Sequence, residues 1–325
     1  MRSPLAEKAD SMHYWSVGRG SPRPTLRQLC HDITRNWLAY AFVLPSMAGV
    51  FAVILVPLVQ TVAVSFKRYY ILDILREAPP FVGFANYLTI LGDPQFRFSL
   101  WLTVIFTFAC VALTMLVGLF VAILLDQDFP GRGIVAVAVL VPWVIPRIAS
   151  SILWKWIYDD QFGILNHMLS SIGLRSLASF PWLARAGPAF WAVVVVVVWQ
   201  SFPFIAVTLL AGLRTIPREV YEAAEIDGAG FWQKVVLISI PMLRNLLAIL
   251  IVISTIWDFK VFDQMYVLTE GGPAGSTMIL GIYTWMMAFG RLQMGLASAL
   301  AMIMFMLVMA VTVLYLRLFM REETT

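Results

Sequence analysis

The stretch with the most chemical information reads RTIPREVYEAAEIDGAGFWQKVVLISIP and begins at Arg214. Glu219, Glu222 and Glu225 follow Pro217, which suits the first turn of a helix because proline has no N–H to leave unbonded there. Carboxylates near a helix N-terminus are favoured by its dipole. Glycines at 228 and 230 permit a sharp break before a second, apolar segment. The pattern predicts a two-part helical elbow that binds another surface; an amphipathic loop lying on lipid headgroups is the alternative.

A second group of candidate residues lies inside an apolar run. Trp199 and Gln200 are about 12 residues from the start of a segment that extends over 187–213, near its middle at 1.5 Å per residue. Phe202 and Phe204 flank Pro203, which predicts a kink. An amide that hydrogen-bonds hydroxyls and rings that stack on pyranose faces would suit a sugar path. The same residues could also serve packing alone.

Charged residues in apolar surroundings form a third group. Asp258, Lys260 and Asp263 are expected near the outer surface, because Asp258 is 17 residues beyond Pro241. They could contact a receptor or the solute, or form a local charge cluster. Arg147, close to two prolines, could bind an anionic group or pair with a carboxylate.

Motifs for catalysis within this chain are missing from the sequence. It contains no Gly-x4-Gly-Lys-Ser/Thr loop, no His-Glu-x-x-His and no Gly-x-Ser-x-Gly. Cys30 and Cys110 are not expected to meet, so they predict neither a disulfide nor a metal site. We therefore expect no cofactor, no metal and no catalytic residue in this chain, which is predicted not to be an enzyme.

The composition predicts a polytopic membrane protein that must position these groups within helices. Of its 325 residues, 60% are apolar and 13% are charged, and the mean hydropathy is +0.82. The net charge of +4 comes from scattered basic residues beside apolar runs, which suits a lipid surface rather than nucleic acid. Six segments are long enough to span a bilayer as helices. They are 38–65, 98–126, 132–157, 187–213, 241–263 and 295–319.

These segments define the predicted organisation as an all-α bundle of six transmembrane helices. The excess of Lys and Arg in alternate connections, above all in the N-terminal tail, predicts that both ends are cytoplasmic. The expected regions are a tail at 1–37, a membrane domain at 38–320 with one long inner loop at 214–240, and a short tail at 321–325.

The inner loop resembles a motif of binding-protein-dependent ABC importer permeases. That family's pattern is Glu-Ala-Ala, three residues, Gly, nine residues and Ile-x-Leu-Pro. The sequence matches it from Glu222 to Pro241, except that Ile240 replaces leucine. Further stretches resemble the sugar-type branch, similar to the maltose and glycerol-phosphate systems. These are 81–87, 154–156 with Gly163, 212–217, and 262–263 through 271–273.

The resemblance implies the fold of type I importer permeases, an inner-membrane location and a set of partners. They are a second permease subunit, a cytoplasmic ATPase dimer that uses the ATP, and an extracytoplasmic solute-binding protein that delivers the solute. It implies that Glu222 meets a basic group in a cleft of the ATPase, whose closure drives alternating access. The residues expected to form this coupling site are Glu222, Ala223, Ala224, Asp227, Gly228, Ile238 and Pro241.

Two other classes of protein compete with this interpretation. A secondary transporter or channel would need coupling carboxylates at mid-bilayer, and none is evident in the predicted helix centres. A polytopic membrane enzyme would cluster His, Asp or Cys near one interface, and the three histidines at 13, 31 and 167 are scattered. The solute itself stays open among sugars, disaccharides, polyols and glycerol phosphoesters.

Overall fold

The computed structural model of the chain describes residues 37–71 and 79–319. The predicted N-terminal tail up to residue 36 and the C-terminal tail at 321–325 lie outside this range. Within it, every repeating element is a helix, and the only β pairing is a single bridge between Lys67 and Phe81. The chain divides into two compact units, residues 1–60 and 61–325. The prediction of an all-α protein is confirmed.

The first unit contains the beginning of one long helical segment. Helix α1 (Trp37–Val50) is followed by a π-helical turn (Phe51–Leu55), and helix α2 (Val56–Ser65) ends within the second unit. The segment is long and apolar enough to span a membrane, and its most apolar window has no buried residue. A helix that is apolar on every side and uncovered suits a lipid surrounding or the surface of another subunit.

Six membrane spans result if each of two sharply bent pairs of helices is counted once. Three further spans are single helices in the second unit: α4 (Pro94–Asp126), α8 (Ala186–Leu213) and α15 (Met294–Phe319). One bent pair consists of α5 (Arg132–Val144) and α6 (Arg147–Ile157), with an angle of 98° between them. The other joins Phe231–Met242 to α12 (Arg244–Phe259) at 73°.

Short helices fill the connections between the spans. They are α3 (Ala85–Gly92), α7 (Ile164–Ser171), a 3₁₀ turn (Arg175–Leu177), α9 (Arg218–Ile226), α10 (Phe231–Lys234), α11 (Ile240–Met242), α13 (Asp263–Thr269) and α14 (Leu280–Trp285). Two π-helical turns, Val235–Ser239 and Met286–Gly290, extend α10 and α14.

Both bends fall within segments that the sequence predicts as single spans, 132–157 and 241–263. Ile145 has an extended backbone because the following Pro146 disfavours the helical conformation, whereas Pro142 is accommodated inside α5. The sequence predicts that the fifth span begins at Pro241, and that prediction is wrong. The chain is already helical from Phe231, and the break comes at Leu243.

Helix α8 is the central helix of the second unit and packs most extensively against α4. Its run of alanine and valine residues at 192–198 is almost entirely buried, as expected for a helix that is apolar on every side. Gly118 of α4 lets the two helices approach closely, since a Cβ there would lie 2.6 Å from Cγ2 of Ile205. The middle of α8, where the predicted path residues lie, is therefore enclosed by other helices.

Candidate functional site

The predicted elbow begins with helix α9, and local chemistry explains both of its ends. Pro217 is the residue that precedes the helix rather than its first residue, and Glu219 lies in the first turn, where the helix dipole favours it. At the other end, Gly228 has a φ of +82°, in the left-handed region. Its N–H donates to the carbonyl of Glu225, and the N–H of Ala229 donates to that of Ala224. This is a Schellman motif, in which glycine relieves a strain that other residues would feel.

Two side-chain contacts join α9 to the second half of the elbow. Lys234 of α10 forms an ion pair with Glu225 of α9. The hydroxyls of Tyr221 and Ser239 lie 2.9 Å apart, which ties α9 to the π-helical turn. The predicted two-part elbow is therefore a closed unit with contacts between its halves.

Glu222 differs from Glu225 in having no salt bridge or hydrogen bond within residues 37–71 and 79–319. Its neighbour Ala223 is exposed, as are Asp227 and Gly228 at the turn. The other residues of the expected coupling site are distributed as follows: Ala224 and Ile238 are half-buried, and Pro241 is exposed. The elbow thus presents an unpaired carboxylate beside small side chains.

A cavity of about 630 Å³, open to solvent, lies between the elbow and the neighbouring helix ends. One wall is the elbow itself, and the other is formed by the end of α4, the start of α5 and the end of α8. Asp126, the last residue of α4, lies 4.0 Å from Arg214, which follows α8. This pair ties the chain just before the elbow to the end of α4.

The middle of α8 carries the second group of predicted residues. Gln200 is only 5% exposed, and its amide donates to the carbonyl of Ile145 at 2.9 Å and accepts from Gln264 at 2.9 Å. Trp199 is half-buried, with its ring 5.5 Å from that of Trp154 in an edge-to-face contact.

Aromatic rings gather around one other predicted residue of α8. Phe204 lies between Trp143 of α5, at 5.9 Å, and Trp257 of α12, at 5.3 Å between ring centroids. Phe202 is half-buried and has no ring contact in the described part of the chain. The structure thus brings Phe204 into an aromatic cluster built from three spans.

Asp258 is buried, and the expected charge cluster with Lys260 and Asp263 is not seen among the described residues. It is 4% exposed, in the last turn of α12, and its Oδ2 has no hydrogen-bond partner among the described residues. Lys260, by contrast, is exposed.

The expected pairing of Arg147 with a carboxylate is not seen as a salt bridge within residues 37–71 and 79–319. Arg147 is exposed in the single chain and follows Pro146 directly, at the 98° bend.

Gln264, Trp143 and Trp257 contact the predicted path residues, although the sequence pattern did not single them out. Gln264 is 3% exposed, and its Oε1 has no partner in the described part of the chain. Its position just beyond the fifth predicted span hid it. A glutamine in a short polar connection between apolar runs was the available signal.

The fold and this interior define a polytopic helical permease of the importer class. The chain belongs to the family described as binding-protein-dependent transport system inner membrane component, whose model matches residues 69–322. The predicted family, multi-pass inner-membrane location and non-enzymatic role as a transport component are therefore confirmed. Nothing in these comparisons supports a secondary transporter or channel.

Curated relatives cover most of the chain. It is 36% identical over 284 residues to the trehalose/maltose transport system permease protein MalF of Thermococcus litoralis, covering 86% of this chain and 92% of that protein. It is 32% identical over 285 residues to the diacetylchitobiose uptake system permease protein DasB of Streptomyces coelicolor, covering 87% of each. The sulfoquinovosyl glycerol transport system permease protein SmoG of Agrobacterium fabrum is 31% identical over 293 residues, covering 90% and 93%.

A solved structure shares the fold. It is a bacterial ABC transporter involved in the import of the acidic polysaccharide alginate, whose matching chain superposes with a TM-score of 0.79 at 21% identity. The match covers 90% of this chain and 98% of that chain. The predicted type I importer architecture is therefore confirmed.

Proposed function

We propose that this permease conducts a carbohydrate-type solute across the inner membrane by alternating access, driven by ATP hydrolysis on a separate ATPase. The relatives named above are described as permeases for trehalose or maltose, for diacetylchitobiose and for sulfoquinovosyl glycerol, all of which contain a sugar. The chain itself binds no cofactor in this proposal, because the ATP belongs to the partner ATPase. A second permease subunit and an extracytoplasmic solute-binding protein complete the assembly.

The observation that carries this proposal is the unpaired, exposed Glu222 on a braced elbow. A carboxylate without an internal partner is free to pair with a basic group of another protein. The small side chains of Ala223 and Gly228 let such a surface approach closely, with Asp227, Ala224, Ile238 and Pro241 completing the elbow. Because Lys234 is ion-paired with Glu225, a displacement of α9 would move α10 and then α12. Rocking of rigid helices would convert this displacement into alternating access.

We propose that the solute path runs past Trp199, Gln200, Phe202, Phe204 and Asp258. Two features support this. The free Oδ2 of Asp258 is a buried acceptor that suits a solute hydroxyl donor, since a buried polar atom left unpaired is costly. The rings of Trp143 and Trp257 beside Phe204 offer apolar faces for the C–H surface of a pyranose.

Charge reversal at Glu222 tests the coupling. In the complete transporter, Glu222→Lys should abolish uptake and release the ATPase during purification, because it would place a cation against the basic group of the partner. Membrane insertion should be unchanged, since the residue is exposed. The measurements are uptake into proteoliposomes and the amount of ATPase that co-purifies.

Asp160→Lys is the matched control, because it reverses an exposed carboxylate on the loop after α6, away from the elbow. It should leave uptake and co-purification unchanged. Wild-type co-purification of the ATPase with Glu222→Lys would contradict the coupling role.

A further inference from the structure

The bend between α5 and α6 leaves a backbone carbonyl that the helices cannot satisfy. Ile145 follows the last residue of α5 and has an extended backbone, so its carbonyl lies outside the hydrogen-bond ladders of both helices. The side-chain amide of Gln200 donates to this carbonyl at 2.9 Å, from a position 55 residues away in the sequence. A side chain in the middle of α8 thus completes the backbone bonding of the broken span.

A second amide continues the chain of hydrogen bonds. Gln264, near the start of α13, donates to Oε1 of Gln200 at 2.9 Å, and both side chains are buried. We call the carbonyl of Ile145 and the amides of Gln200 and Gln264 the amide latch. A buried amide that loses its hydrogen-bond partner carries a desolvation penalty, so the hydrogen-bonded arrangement of the three groups is lower in free energy.

The latch lies among the helices that the bend positions against each other. Helix α6 packs extensively against α13, and α5 packs against α8. The latch joins these two contacts at one point, directly where the chain turns through 98°. Moving α6 and α13 away from α8 would require at least one of the two hydrogen bonds to break.

We propose that the amide latch of Ile145, Gln200 and Gln264 restrains the permease in its resting conformation and opens when the transporter changes state. Gln200 and Gln264 are then positioning residues that act on the bend rather than on the nucleotide or the elbow. This inference rests on the proposed coupling to a separate ATPase. It assigns Gln264 a role in keeping ATP hydrolysis dependent on the solute-binding protein.

Replacement of the glutamines by leucine tests the latch in the assembled transporter. Gln200→Leu, Gln264→Leu and the double variant remove one or both links without changing the side-chain volume greatly. Each should raise the ATPase rate measured without binding protein or solute by about five- to tenfold, as expected for loss of a buried hydrogen bond made in one state only. Because Gln200 takes part in both hydrogen bonds, Gln200→Leu already removes both links, and the double variant should rise no further than that single variant.

Gln95→Leu is the matched control, since the side-chain amide of Gln95 bonds, among the residues that the structure describes, only to Ser99 within the same helix. It should leave the unstimulated rate at the wild-type value. Rates that stay at wild type in assembled latch variants, or that rise additively, would overturn the proposal, as would failure of all three latch variants to assemble. Receptor-stimulated hydrolysis in the wild type is measured beside them; its absence would refute the proposed function itself.

Discussion

The left-handed backbone of Gly228 allows a graded test of the elbow. No atom lies within 4 Å of where a Cβ would be, so a substitution meets no steric obstacle. The cost comes from the φ of +82° alone. Gly228→Ala should therefore cost about 1–2 kcal/mol, and Gly228→Asn should cost less because asparagine tolerates this region. Gly228→Val should cost more than alanine, since branching at Cβ makes positive φ worse.

This strain should loosen the end of α9 without unfolding the membrane bundle. A change of one or two kcal/mol shifts a local equilibrium about 5- to 30-fold. Hydrogen exchange of the amides of Gly228 and Ala229, which close the turn, should accelerate by that factor. Uptake and ATPase co-purification should fall in the order glycine, asparagine, alanine, valine.

Gly230 provides the matched control two residues away in the same elbow. Its φ of −71° suits any L-residue, and an added Cβ would be at ordinary contact distance, 3.5 Å, from Gln233. Gly230→Ala should therefore leave exchange, uptake and co-purification near wild type. Equal tolerance of alanine at 228 and 230 would refute the argument that backbone conformation, and not glycine content, maintains the elbow.

Two further predictions concern the bundle. Gly118→Ala should lower the free energy of unfolding of the detergent-solubilised protein by about 1–3 kcal/mol, because the added methyl group overpacks against Ile205. Gly133→Ala, which has open space around its Cβ, should leave this free energy unchanged. An unchanged melting temperature for Gly118→Ala would show that α4 and α8 are not in such close contact. Phe204→Ala should raise the KM of uptake while the ATPase stays bound, with the exposed Phe108→Ala as control; an unaltered KM would remove Phe204 from the path.

The spans and the elbow were accessible from sequence because their signals are local. A run of about 20 apolar residues is sufficient for a membrane helix. The glycine at 228 and the carboxylate at 219 mark helix ends by rules that act within one turn. The structure follows these expectations closely at α4, α8 and α9.

The burial of Asp258 could not be obtained in this way. Counting 17 residues from Pro241 at a fixed rise gives a position along the helix axis, but it does not show which neighbouring helices cover the side chain. The position of Gln264 was hidden for a related reason, since its partner is 64 residues away in the chain. Local periodicity carries no information about a contact between two side chains that only the folded bundle brings together.

The close approach of α4 and α8 at Gly118 has a mechanical consequence. Because Gly118 has no side chain, Ile205 of α8 packs directly against the backbone of α4, which leaves the two helices little freedom to slide or hinge there. We expect the two helices to move as one rigid unit, with Arg214 beside Asp126 at one end. A displacement applied at that end should therefore be transmitted along both helices together. Any hinge of the bundle should lie in the bent spans that pack around them.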